Sequence, residues 1–366
     1  MDKIFLKDKN SIRYSDLINY VNGNSLHFLL SETESFILEE IRRISNGNVN
    51  RIEDLIDRIK SNNCSIILKT SGTTGKPKII EHTIESISRN IKIDKKYEDV
   101  KWGLTYAKGK MAFYQVLLQA LFNKSEIINL FGYSFGEISN KIQTNRVKFL
   151  SATPTFYRML LSNDVIYSEI DQITIGGEGP TRELLDKLKM HFPNANVRNI
   201  YASSESASLF ISKGEFFTIP VKYKDKVKIH DSTLRIHIDL LGSIGSDLLE
   251  GDWYDTQDLV EILDETTFKI IGRKNIEINV SGNKINPYRI EDIINSLNYV
   301  TASFVYSKKN SVTGNMLCCD IVLSEETEKS KIKIDLKSQL DKHEIPMVIN
   351  FVESIDINSN MKINRV

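Results

Sequence analysis

From Lys110 to Tyr201 the chain alternates two apolar patterns, and this alternation limits its fold more than any other feature. Helix-period segments at 111–122, 135–144 and 181–191 are separated by short β-branched runs at 126–130, 148–152, 170–175 and 197–201. Strands spaced by helices of this length pair in parallel, because the crossovers lay the helices on the faces of the sheet. The expectation is an α/β domain with mostly parallel strands. Helices at 31–44 and 49–62 and a strand at 64–70 precede it. From about 218 to 271 the pattern changes to strand-length runs, 234–238, 259–263 and 268–271, which read as a β-rich section. Beyond Gly272 a helix at 288–297, strands at 302–306 and 317–322 and a helix at 331–343 predict a small α+β unit. The expected division is a large domain at 1–274 and a small C-terminal lid domain at 275–366.

The 366 residues suffice for two or three domains, and 41% hydrophobic with 26% charged residues excludes the composition of a disordered chain. Lys and Arg total 48, as do Asp and Glu, so no overall field draws the chain to nucleic acid or an anionic membrane. The most apolar run, 111–122, is too short for the roughly 20 residues of a membrane-spanning helix. The first residues are charged and carry no signal-peptide core, which makes the cytoplasm the expected compartment. Cys64 and the adjacent Cys318 and Cys319 form neither a disulfide framework nor a metal knuckle and read as buried thiols.

One string carries dense chemistry: Thr70-Ser71-Gly72-Thr73-Thr74-Gly75-Lys76-Pro77-Lys78, directly after a strand. Its glycines let backbone amides approach an anion, its hydroxyls can donate to phosphate oxygens, and Lys78 adds positive charge. Pro77 stands where a P-loop NTPase needs a Mg²⁺-binding hydroxyl and Thr70 where it needs a glycine, which argues against an ordinary P-loop.

The string resembles the [ST]-[SG]-G-[ST]-T-G-x-P-K signature of the adenylate-forming superfamily, which includes acyl-CoA and aryl-CoA ligases, peptide-synthetase adenylation domains and luciferases. Further segments follow in the family's order. Tyr201-Ala202-Ser203-Ser204-Glu205 is similar to Y-G-x-T-E, and Gly251 to Asp258 to G-x-W-x-x-T-G-D. Gly272-Arg273-Lys274-Asn275, with Gly282, Lys284, Pro287 and Glu291 downstream, resembles the hinge and thiol-channel signature. Asn360-Met361-Lys362-Ile363-Asn364-Arg365 resembles S-G-K-I-x-R.

The resemblance implies an ATP- and Mg²⁺-dependent ligase that converts a small carboxylic acid to acyl-AMP and passes it to a pantetheine thiol. Thr70 to Gly75 and Lys78 hold the phosphates, Tyr201 stacks on adenine with Ala202 and Ser203 beside it, and Asp258 and Arg273 take the ribose. Gly177 and Glu178, in a turn resembling the family's G-G-[AE], line the acyl and adenine pocket. Glu205 and Ser204 hold the metal, and Lys362 bridges carboxylate and α-phosphate. Asn275 is the hinge, and Gly282 and Lys284 border the thiol's path. Taken singly, Tyr201 reads as a core aromatic, Asp258 as a turn residue, and Lys362 as part of a frayed tail.

Asn275, Met361, Ala202 and Gln257 depart from the family's usual Asp, Gly, Gly and Gly. The string begins at residue 70, earlier than in relatives, which implies a shortened N-terminal region. The segment 104–110 lacks the family's substrate-proximal histidine. The thiol acceptor is either CoA or an acyl or peptidyl carrier protein. The alternative from another class is a catalytically inactive nucleotide-binding or scaffold protein that keeps the fold.

Overall fold

Capping fixes where several helices begin. In the computed structural model, which describes residues 3–27, 29–70, 78–162, 164–280, 282–310 and 314–355, Ser31 caps the helix Glu32–Ser45. Its hydroxyl accepts from the Glu34 amide at 3.1 Å, and the Glu34 carboxylate accepts from the Ser31 amide at 2.6 Å. Ser134 and Glu137 repeat this reciprocal cap on the helix Phe135–Asn145, and Thr181 caps Arg182–His191. Each such cap stabilises a helix by about 1 kcal/mol by satisfying an amide that has no intrahelical partner.

The expected parallel sheet is present and larger than the sequence pattern suggested. Eight strands run in the order Ala207–Ser212, Asn196–Ser203, Gln172–Gly176, Phe149–Ala152, Lys101–Leu104, Glu126–Asn129, Ile4–Lys7, Ser11–Arg13. The six inner strands are parallel and the two outer ones antiparallel to their neighbours. After Lys101–Leu104 the next strand lies on one side of it and the following one on the other. That reversal opens a crevice at the carboxyl ends of the central strands, where open α/β sheets bind ligands.

Alternating side chains serve two cores. Trp102, Leu104 and Phe149 face the cluster containing the helix Met111–Phe122, while Ile128, Leu150 and Ile173 face a second one. Met111–Phe122 is apolar on nearly all sides, as befits a helix covered all round.

The β-rich section is an antiparallel sheet in the order Phe216–Thr218, Thr267–Arg273, Trp253–Ile262, Thr233–His237, Val227–His230, with Leu249–Glu250 beside Trp253–Ile262. A separate hydrophobic cluster, made of residues from Ile278 onward, joins the hairpin Ile278–Val280 and Asn283–Ile285, the helices Pro287–Asn295 and Lys329–Lys337, and a sheet of Val300–Asn310, Gly314–Leu323 and Val348–Phe351. This is the expected α+β region. The helix expected to reach residue 343 ends at Lys337, and a turn follows in which the Glu344 carboxylate accepts from the Asp341 amide at 3.0 Å. A local side-chain bond of this kind competes with helical continuation. Cys318 and Cys319 are buried as expected, whereas Cys64 is only half-buried. No helix among the described residues is long and apolar enough to cross a membrane.

Candidate active site

The phosphate-loop string is held at both ends by a hairpin. Ser65–Thr70 pairs antiparallel with Lys78–Thr83, in a register that sets Thr70 opposite Lys78. Ser71, Gly72, Thr73, Thr74 and Gly75, with Lys76 and Pro77, lie outside the described residues. Period-2 alternation buries Ile66, Leu68, Ile80 and His82 on one face and leaves Ile67 and Ile79 exposed on the other.

Asp258 is the centre of the described site. It faces Arg273 across the antiparallel pair Trp253–Ile262 and Thr267–Arg273, and Arg273 Nε donates to its Oδ1 at 2.7 Å. The Tyr201 hydroxyl, from the end of the parallel sheet, donates to Oδ2 at 2.7 Å. Asp258 is 7% exposed, so these two donors offset the cost of burying its charge. The Asp258 charge in turn raises the Arg273 pKa, and burial followed by that same charge holds the Tyr201 phenol well above its ordinary value.

A backbone distortion presents this carboxylate. Gln257 has φ +61°, its amide donates to Asp255 Oδ1 at 2.9 Å, and the pairing with Thr233–His237 slips between Thr233 and Arg235. A bulge re-aims side chains at the cost of one strained residue, and Gln257 takes the left-handed conformation that glycine adopts freely.

The Tyr201 ring lies at the edge of a hydrophobic cluster. It is 8% exposed and packs against Phe210 and Phe217 at centroid distances of 5.4 and 6.2 Å. In this arrangement the ring is a core side chain, and its hydroxyl is what reaches Asp258. Ala202 pairs with Ser208 inside the strand Asn196–Ser203, and Ser203 Oγ accepts from the Ser206 amide at 3.1 Å in the turn beyond.

Glu205 lies in that turn. The Tyr254 hydroxyl donates to its Oε1 at 3.1 Å, and the Gly242 amide donates to its carbonyl at 2.8 Å. Burial and then the Glu205 charge raise the Tyr254 pKa, and the same charge acts on Arg273. The Ser204 carbonyl accepts from His82 Nε2 at 2.7 Å. Tyr201, Glu205, Asp258 and Arg273 thus form one electrostatic cluster, joined by Tyr254. Sequence reasoning gave no role to Tyr254, although it stands inside the Trp253 to Asp258 run, nor to His82, whose signal was a histidine four residues past Lys78.

At the crevice, Gly177 has φ +86°, and the turn it forms aims Glu178 at the start of the helix Pro154–Leu161. Thr155 Oγ1 donates to Glu178 Oε2 at 2.8 Å. Beside it, Thr105 Oγ1 donates to the Ser151 carbonyl at 2.6 Å, and the Tyr106 hydroxyl lies 3.2 Å from Ser151 Oγ. Burial pushes the Tyr106 phenol up to about 12.

Asn275 falls in a single 3-10 turn, Lys274–Ile276, after the strand that carries Arg273. Gly282 has φ +88°, and a Cβ built there meets no described atom within 4 Å, so the backbone angle is what favours glycine at this position. Lys284 is exposed, 4.0 Å from Glu277. Lys362 and Met361 lie outside the described residues. A shallow concavity of about 390 Å³ on the C-terminal region, lined in part by Val280, His343 and Met347, shares no residue with the cluster.

The AMP-binding enzyme family matches this chain over residues 26–234. Among known proteins, 2-succinylbenzoate–CoA ligase of Bacillus pumilus is 21% identical, covering 91% of this chain and 74% of that protein. D-alanine–D-alanyl carrier protein ligase of Staphylococcus aureus is 22% identical over 91% of this chain and 76% of its own length. Gramicidin S synthase 2 of Brevibacillus brevis is 21% identical over 82% of this chain, which spans only 8% of that much longer protein. Of solved structures, o-succinylbenzoate CoA synthetase from Bacillus subtilis in complex with the acyl-adenylate intermediate OSB-AMP superposes with a TM-score of 0.70 at 15% identity, over 99% of this chain and 94% of that one. The same synthetase with ATP and magnesium ion gives 0.68 at 15% identity, over 99% and 95%.

Proposed function

Because this chain belongs to the AMP-binding enzyme family, we propose that it activates a carboxylic acid with ATP and passes the acyl group to a pantetheine thiol. The observation that carries this reading is the closure of Tyr201, Glu205, Asp258 and Arg273, from separate strands and turns, into one cluster around a buried carboxylate. A carboxylate has about four lone-pair sites, so Asp258 can accept from two ribose hydroxyls beyond its present donors, with Arg273 beside them. Thr70 to Gly75 and Lys78 would cradle the phosphates, with Gly177 and Glu178 at the acyl and adenine edge.

The residues present fit a magnesium ion. Mg²⁺ is commonly bound by one or two carboxylates together with substrate phosphates and water. Glu205, oriented by Tyr254, would supply the carboxylate with the Ser204 hydroxyl beside it; among the described residues no three acidic, His or Cys side chains gather into a cage. When bound, the ion offsets charge on the phosphate oxygens.

In the first step an oxygen of the acid attacks the α-phosphorus and the bond to pyrophosphate breaks, giving acyl-AMP. Lys362 would neutralise the charge that develops there. In the second, the thiol sulfur attacks the acyl carbonyl, its proton passes to solvent, and AMP leaves. The unit from residue 275 onward would turn about Asn275 between the steps, bringing Gly282 and Lys284 toward the thiol's approach. The names of the relatives include both CoA ligases and a carrier-protein ligase, and both acceptors belong in the test. ATP–pyrophosphate exchange across a panel of fatty, aromatic and amino acids should reveal one class that exchanges. That acid with CoA or a phosphopantetheinylated carrier should then release AMP. ATP binding without exchange for any acid would overturn the proposal.

A further inference from the structure

Three side chains from the second strand of the phosphate-loop hairpin and the segment that follows it donate to alternate carbonyls of the segment after Tyr201. His82 Nε2 reaches the Ser204 carbonyl at 2.7 Å, Arg89 Nη1 the Ser206 carbonyl at 3.4 Å, and Asn90 Nδ2 the Ser208 carbonyl at 2.7 Å. Of the three, His82 is wholly buried and bonds nearest to Glu205. A carbonyl only accepts, so Nε2 carries the proton; in the neutral ring Nδ1 then accepts from the Ser86 hydroxyl at 2.9 Å. Both ring nitrogens are engaged, and the tautomer and orientation are fixed together.

The same place is closed from the other side. Glu81 and Ser243 exchange backbone hydrogen bonds at 3.1 and 2.7 Å, which draws residue 242 against the hairpin. A Cβ at Gly242 would stand 2.8 Å from the Glu81 carbonyl oxygen and 2.8 Å from His82 Cε1, so only glycine permits the approach. From there the Gly242 amide holds the Glu205 carbonyl at 2.8 Å. The two carbonyls of the Ser204–Glu205 turn are therefore pinned by two groups that touch each other, while Tyr254 holds the Glu205 carboxylate.

We propose that His82 is a positioning residue: its Nε2–H fixes the Ser204–Glu205 turn against the strand that begins at Lys78, so that Glu205 and Lys78 are held in register to serve one magnesium–triphosphate. The inference rests on the proposed assignment of Glu205 to the metal and of Lys78 to phosphate. His82 lies four residues beyond Lys78 in one strand, about 13 Å of extended backbone, so a shift of the turn is a shift relative to Lys78. No other polar side chain of that strand is buried.

The test is calorimetric binding without acid substrate, so that no turnover is needed. His82→Leu should weaken ATP binding about tenfold in the presence of Mg²⁺. It should leave AMP binding, which involves neither the β- and γ-phosphates nor the ion, within about twofold. His82→Gln places an amide donor near Nε2 and should restore most of the loss, which a purely structural role for the ring would not predict. Ser86→Ala, which removes the donor to Nδ1, should give a smaller loss of the same kind and decides the matter if the leucine variant does not fold. Wild-type affinity for Mg²⁺–ATP in the folded leucine variant overturns the proposal, and so does an equal loss for AMP. Glu205→Gln serves as the control. If it abolishes the Mg²⁺-dependent part of ATP binding and His82→Leu does not, the positioning role alone fails. If it changes nothing, the metal assignment fails and takes the inference with it.

Discussion

Asp258→Asn keeps the volume of the buried side chain and removes its charge. The carboxylate now accepts from the Tyr201 hydroxyl and from Arg273 Nε, each at 2.7 Å. Hydrogen bonds to a charged group contribute about 1.5–3 kcal/mol and neutral ones about 1 kcal/mol, so exchanging both costs about 1–4 kcal/mol. The Arg273 side chain is 42% exposed and solvent screens its half of the pair. That places the stability loss in the lower half of the range, about 1–2 kcal/mol, or a few degrees in melting temperature.

The nucleotide effect is separable. An amide presents one acceptor oxygen where the carboxylate presents two, so one of two ribose hydroxyls loses a charge-assisted bond worth about 1.5–3 kcal/mol, a weakening of about 10- to 150-fold. Calorimetry with ATP and with AMP should show that loss equally, because both nucleotides carry the ribose. Thermal unfolding measures the first effect on the same samples. A lowered melting temperature with unchanged affinity for both nucleotides would refute the ribose assignment and leave Asp258 as a strut for Arg273 and Tyr201.

Three further outcomes are expected. Tyr201→Phe keeps the ring in its cluster with Phe210 and Phe217 and removes the donor to Asp258; ATP affinity should fall about tenfold, and an unchanged value would show that the hydroxyl does not set the carboxylate. Gln257→Gly relieves a left-handed residue that costs about 1–2 kcal/mol, against about 0.5–1 kcal/mol for the added backbone freedom of the unfolded chain. The variant should melt higher with ATP binding intact, and a lower melting temperature would count against strain at the bulge. Burial raises the Glu126 pKa, with Lys101 at 3.7 Å opposing. The folded state therefore binds more protons than the unfolded one from the ordinary value of 4.5 upward, and stability declines as pH rises through that window. Glu126→Gln should remove this decline in a series of melting curves between about pH 4 and pH 7, and an unaltered slope would assign it to other groups.

Most of the parallel sheet was legible because strand and helix periods differ and each run was bounded by a cap or a turn. Residues 111–122 form a helix with the expected ends, and 135–144 and 181–191 are met within about a residue by Phe135–Asn145 and Arg182–His191. The short strands Ile4–Lys7 and Ser11–Arg13 at one end of the sheet were not legible, since so few residues show no period and Ile4–Lys7 joins the sheet through a distant partner, Glu126–Asn129. Pro154–Leu161 was missed although Thr153 caps it and Pro154 opens it, a start signal readable beforehand. In the site, the charged residues were named from the sequence, but their partners were not. Nothing local says that Tyr201 lends Asp258 its hydroxyl, because the ring's orientation is set by Phe210 and Phe217 packing against it.

The departures from the family's signatures fall on backbone positions of differing demand. Ala202 occupies extended strand paired with Ser208, where a β-carbon is tolerated and glycine brings no advantage. Asn275 lies in a 3-10 turn that admits most side chains. Among the described departures Gln257 alone sits where glycine has a physical purpose, and its strain is a cost to folding that the whole chain absorbs. Loss of the Asp258 or Glu205 charge could not be spread in this way, because each carboxylate is held by a phenol at the one position from which, in the proposed function, it would meet the ligand. The two kinds of change therefore have different consequences: replacing a turn glycine lowers stability by about 1 kcal/mol and leaves the cluster's donors and acceptors in place. That separation predicts that Gln257→Gly alters the melting temperature and leaves nucleotide affinity unchanged, whereas Asp258→Asn alters both, with the bulge between Asp255 and Leu259 as the element on which both positions depend.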